Sequence, residues 1–264
     1  MTWQTLTPSD AVEVADWIGE RLHPFAKDVG SVVPPGLPAY ARIFHPASRS
    51  RHWQPEDVRW SEVAAWSGRT VHPEMQFHAI AVPATPSRIV GSSPWNAEPR
   101  LGVLSNPQCR ALVGLLARFT TTPADCWFCL WEGYGYLTGS VRAFSSGKQG
   151  PSPAGSKRQP RWRPHLRFPR PIGNRPDRKR VRLPGRDYLL FRGPVAKAEG
   201  WEDGPNLWWP EDRAWCVASE IDFPYTYVAG SQELIDAILK DPAIESLPAT
   251  DTDGINYSSD RINS

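Results

Sequence analysis

Between Arg142 and Arg186 the chain carries 14 of its 30 Lys and Arg against a single acid, Asp177. Eight prolines are scattered through the same stretch. Proline has no backbone N–H to offer a helix or a central strand, and a dense run of cations resists burial without partners. Regular structure through most of this segment is therefore not expected, and the fold is to be built mainly from the sequence on either side. Charge divides the same way. The segment carries +13, while the other 219 residues hold 16 bases and 27 acids, a balance of −11 beneath a whole-chain +2. An acidic body with a basic strap follows, and such a strap must face water, phosphate or carboxylate.

The flanks read as alternating helices and strands. Thr7-Pro8-Ser9-Asp10 has the form of a cap, a proline at the first helical position and an acid closing a capping box. Ala11, Val14, Ala15, Ile18 and Leu22 follow at helical spacing, which predicts a helix over about 8–23. A second helix is predicted at Arg59–Ser67, with Trp60, Val63 and Ala64 inward and Gly68 as its stop. A third starts at Ser105-Asn106-Pro107 and a fourth after Gly230-Ser231, with Leu234, Ile235, Ile238 and Leu239 as its apolar face. Strands are expected at 31–33, 40–45, 126–131, 187–191, 215–221 and 225–228, a loop-rich stretch over 69–103, and a loose polar tail over 249–264. Parallel βαβ alternation is missing. The expectation is one α+β domain over 1–264, a mixed or antiparallel sheet with three to four helices packed on one face, and 142–186 as a Pro-rich basic insertion. Thirteen Trp in 264 residues are expected mostly in the core.

Three readings of the insertion compete. Low hydrophobicity and high charge suit a solvated loop with no partner. Arg158, Arg161, Trp162, Arg163, Arg167, Phe168, Arg170, Arg178, Lys179 and Arg180 interleave cations with rings, as a nucleic-acid or other polyanion contact would. The same residues would also complement the chain's own acidic body.

Motifs for chemistry fail on inspection. Cys126-Trp127-Phe128-Cys129 lies in an apolar run where a strand would send the two thiols to opposite faces, so it reads as two buried structural cysteines. Gly133-Tyr134-Gly135 with Gly139 misses the dinucleotide spacing and no helix follows. Gly147-Lys148 lacks the Gly at 143 and the Ser/Thr at 149 that a phosphate loop needs. Asp251-Thr252-Asp253-Gly254 places its glycine too early for a calcium loop. His23, His45 and His72 each precede proline and read as three separate histidines. No cofactor or metal is expected. Trp201, Trp208 and Trp209 remain candidates to line a ligand groove, and with Glu220 and Asp222 they form the alternative reading of a hydrolase or transferase pocket. There is no apolar leader and no 18-residue apolar run, so a cytoplasmic protein without membrane contact is the default expectation.

The stretches Arg186–Pro194, Pro205–Val217 and Val32–Tyr40 resemble uncharacterised proteins of high-GC Gram-positive bacteria, a group that brings no catalytic residue and implies a cytoplasmic bacterial protein. Leu37-Pro38-Ala39-Tyr40 with Ile43-Phe44 is similar to the start of SUKH-type immunity domains, although His45-Pro46 replaces the small pair expected next. The function expected is therefore non-catalytic binding of a protein or a polyanion, through the basic insertion.

Overall fold

A computed structural model describes residues 6–51, 54–85, 91–134, 178–201 and 203–264. Its frame is a nine-stranded sheet in which every pairing is antiparallel. The strands are β1 (Thr7–Ser9), β2 (Ala39–Phe44), β5 (Cys126–Trp131), β6 (Val181–Leu183), β7 (Arg186–Gly193), β8 (Leu207–Pro210), β9 (Cys216–Ala218), β10 (Tyr225–Gly230) and β11 (Ser246–Ala249). They lie side by side in the order β1-β7-β5-β8-β9-β10-β2-β11, and β6 shares the outer edge of β7 with β1. A separate hairpin joins β3 (Ala47–Arg51) to β4 (Gln54–Val58).

Alternation along each strand feeds two cores. On β5, Cys126, Phe128 and Leu130 face one side while Trp127 and Cys129 face the other. The first side is covered by Leu112 and Leu116 of α4 (Asn106–Leu116) and by Leu234, Ile235 and Ile238 of α5 (Gln232–Lys240). The second is covered by α1 (Asp16–Gly19), α2 (Trp60–Ser67), α3 (Phe77–Ile80) and the loops around them. The α+β class is as expected, but the described residues include five α-helices, and they take both faces instead of one. The reason is composition: central strands such as β5 (CWFCLW) and β10 (YTYVAG) are buried at every or nearly every position and need cover on both sides.

Helix α2 shows how sequence and tertiary structure share the work. Trp60, Val63, Ala64 and Ser67 are buried at a 3.6-residue period, and Gly68 closes the helix at φ 72°. Its start has no local side-chain cap; instead the Glu245 carboxylate accepts from Trp60 N (2.7 Å) and Ser61 N (2.8 Å). By contrast α5 is capped locally, Ser231 Oγ accepting from Leu234 N at 3.2 Å.

Three expectations about elements are corrected. Thr7–Ser9 is an edge strand on β7, with Pro8 opposite Phe191, and helical structure begins only at Val12. Proline is tolerated on an edge, and the open side of β7 competes successfully for this segment. Residues 29–31 form a 3-10 turn and no strand. The tail expected to be loose over 249–264 starts at Ala249, the last residue of β11, and goes on to bury Ile255, Asp260 and Asn263. Asp260 accepts from His72 Nε2 (2.8 Å), Gln76 N (3.0 Å) and Asn263 N (2.8 Å), so the tail satisfies polar groups of the 70s loop.

Candidate functional site

Strands β2, β5 and β9 end where β7, β8 and β10 begin, and His45, Glu220 and Asp222 lie at that end of the sheet. A hydrogen-bonded row crosses it. Asn206, just before β8, holds Trp131 N (2.8 Å) through its Oδ1. Its Nδ2 donates to Tyr134 Oη (3.1 Å) and to Ser219 O (3.3 Å). Ser219 Oγ lies 2.6 Å from Thr226 Oγ1, which lies 2.8 Å from His45 Nε2. The other ring nitrogen, Nδ1, is 2.7 Å from the Arg100 carbonyl. A carbonyl can only accept, so Nδ1 carries the proton and Nε2 accepts from Thr226. His45 is fully buried, and burial pushes its pKa down to about 4. It is a neutral structural imidazole at neutral pH.

At the same end Arg186 fastens the return of the basic insertion. Its Nη2 donates to Glu220 Oε1 (2.6 Å) and Asp222 Oδ2 (2.9 Å), and its guanidinium lies over Phe25 and Trp131, 5.0 and 5.6 Å from the ring centroids. Arg180 pairs with Glu132, and Lys179 N donates to Asp10 Oδ1 at 3.3 Å. Of the ten basic and aromatic residues assigned to polyanion contact, only Arg178, Lys179 and Arg180 are described; Arg158, Arg161, Trp162, Arg163, Arg167, Phe168 and Arg170 lie outside the described residues. Arg180 Nε meets Glu132 and its Nη1 donates to the Arg178 carbonyl. Lys179 is exposed.

The three candidate tryptophans are all buried; Trp201 and Trp208 share the lining of a cavity of about 20 Å³, and Trp209 takes no part in it. Trp208 and Trp209 are adjacent on β8 and therefore face opposite sides. Trp208 packs at 5.4 Å from Trp215 and 5.9 Å from Phe128, while Trp209 meets Trp17 on the other side. Trp201 is buried beside Phe128 and Phe191. Glu220 is buried and Asp222 exposed, and both carboxylates are held by one arginine. The four residues of the enzymatic alternative therefore do not converge on a pocket. The cavity nearest Glu220, about 20 Å³, holds no more than a water.

The thiols are equally occupied by structure. Cys126 and Cys129 face opposite cores, and desolvation pushes Cys126 up to about 12 and Cys129 higher still. Among the described residues no group of three His, Cys, Asp or Glu is placed to hold a metal ion. His23 pairs with Asp28 and His72 with Asp260, far apart from the His45 row in their bonding.

Two clefts missed by the sequence reading open beside the polar row. One of about 550 Å³ lies between the β3–β4 hairpin and the start of α4, lined by His45, Ser48, Asp57, Glu98, Arg100 and Asn106 among others. The other, about 300 Å³, is lined by Phe77, His78, Glu98, Asp222, Phe223 and Tyr257 among others. The lining of the first comes from three separate stretches of chain and that of the second from four, so no local motif announces them. No described helix is long and apolar enough to cross a membrane. No family model, curated protein or solved structure matches the chain.

Proposed function

We propose that this protein acts by binding a partner and not by catalysis, with the basic insertion as its contact for a nucleic acid or another polyanion. One observation carries the reading. Twelve of the 14 cations of 142–186 lie between β5 and β6, which flank β7 with Trp131 and Val181 both opposite Tyr188. A connection that leaves and rejoins a rigid sheet at one level is how binding loops are commonly presented. Arg180 on Glu132 and Arg186 on Glu220 and Asp222 fasten its returning end there. These tethers use a few acids of the body and leave nine Lys and Arg between Arg142 and Arg175 for a partner. The chain's own acidic body is the competing destination for them.

Fluorescence anisotropy with labelled single-stranded and duplex oligonucleotides, at low and high salt, tests this. The comparison is a variant in which 145–175 is replaced by a short Gly/Ser linker, keeping β6, Arg180 and Arg186. The expected result is binding by the intact chain only, with log K falling against log salt by about 0.9 per phosphate contacted on duplex DNA. Absence of binding by either form, with both folded, sinks the polyanion reading.

A further inference from the structure

The 300 Å³ cleft differs in character from everything around it. Its rim carries two large apolar side chains left in water, Tyr257 at 75% exposure and Leu101 at 54%. Tyr257 is not loose: its ring stacks on His78 with centroids 3.5 Å apart and planes 6° from parallel. Phe223 and Tyr225 make a second stacked pair, 5.0 Å apart at 27°. Glu98 and Asp222 add two carboxylates to the same lining. Glu98 is exposed, whereas Asp222 already shares its charge with Arg186. Burial holds His78 below the ordinary imidazole value, so its ring brings no positive charge at neutral pH to oppose a cation. Arg42 lies buried 3.7 Å from the Tyr225 ring centroid, so Tyr225 serves as a wall; the open aromatic face belongs to Tyr257.

Oriented ring faces together with carboxylates are complementary to one chemistry, a flat organic cation. Aromatic faces attract cations through their quadrupole, and a guanidinium stacks on a ring while forking to a carboxylate, which an ammonium cannot do. We propose that this cleft receives an exposed arginine side chain of a partner peptide, with Tyr257 as the stacking platform and Glu98 as the counter-charge. Outside 142–186 the chain carries a balance of −11 within a whole-chain +2, so the attraction of a cationic partner to this cleft is local, through Glu98 and the acids of the body. The proposal is independent of the polyanion reading, since it concerns a ligand of opposite charge held by other residues.

The test is a titration of the full-length, isotopically labelled chain with the capped tripeptide acetyl-Gly-Arg-Gly-amide, followed by two-dimensional NMR. The controls are the same peptide with citrulline, a neutral isostere, and with lysine. The expected result is saturable shifts at Leu101, His78 and Tyr257 with a dissociation constant on the order of 1 mM, weakened by salt. The citrulline peptide should bind about fivefold or more weakly, with lysine in between. Tyr257→Ala and Glu98→Gln alter exposed groups that the fold does not need, and each should weaken binding about 2–5-fold. Equal binding of the arginine and citrulline peptides, shifts that map elsewhere, or no saturation up to about 10 mM would overturn it.

Discussion

Between neutral pH and about pH 4, acid should weaken this fold through His45. The native state holds it neutral, with its pKa lowered from 6.5 to about 4 because the ring is buried between the Arg100 carbonyl and Thr226. In the unfolded chain the same imidazole titrates at its ordinary value. Between those two pH values the unfolded state therefore binds the extra proton, and stability falls as pH drops through that window. Above about pH 6.5 and below about pH 4 the two states are protonated alike, and this contribution is constant. At 1.36 kcal/mol per unit the full loss is about 3 kcal/mol, most of it present already near pH 4.5. Urea unfolding of the intact protein and of His45→Gln, from about pH 7 to about pH 4.5, isolates the effect. The variant cannot titrate there and loses one of two hydrogen bonds, so it should be the less stable protein at neutral pH. The gap should then close by about 2 kcal/mol as the pH falls, while the contributions of groups common to both proteins cancel in the difference. A gap that does not change with pH would refute the buried, neutral assignment.

Two further substitutions probe the fold. Glu245→Ala removes the carboxylate that caps α2 from outside the helix, and should cost about 0.5–2 kcal/mol in chemical denaturation with far-UV dichroism little changed at low denaturant. Trp208→Ala should cost about 3–5 kcal/mol in the same assay, because the side chain is a core element between Phe128 and Trp215; a change within about 0.5 kcal/mol would return it to the role of a surface ligand residue.

What could be read from the chain alone was whatever depends on near neighbours. Helix α2 with its Gly68 stop, the start of α4 at Ser105, the Ser231 cap and the strand Cys126–Trp131 all follow from periods and caps spanning a few residues. The splitting of the cysteine pair between faces follows from strand geometry in the same way. Where local and long-range demands conflicted, the local rule lost. Thr7-Pro8-Ser9 has the form of a helix start, yet the exposed edge of β7 takes it as a strand. The polar tail has no apolar period, yet Asp260 finds donors on residues 72 and 76, nearly 190 positions away. Trp208, Trp209, Glu220 and Asp222 look like a cluster in sequence, but strand alternation and one arginine distribute them.

The amino-acid sequence by itself determined the division into an acidic α+β body and a basic, proline-rich insertion, because charge and backbone donors are properties of residues wherever they end up. Only the tertiary structure decided the strand order, the two-sided cover of the sheet and the clefts at its end. Those depend on which distant segments pair and pack, and pairing is chosen by the free energy of the whole assembly of strands and helices, which no window of neighbouring residues contains.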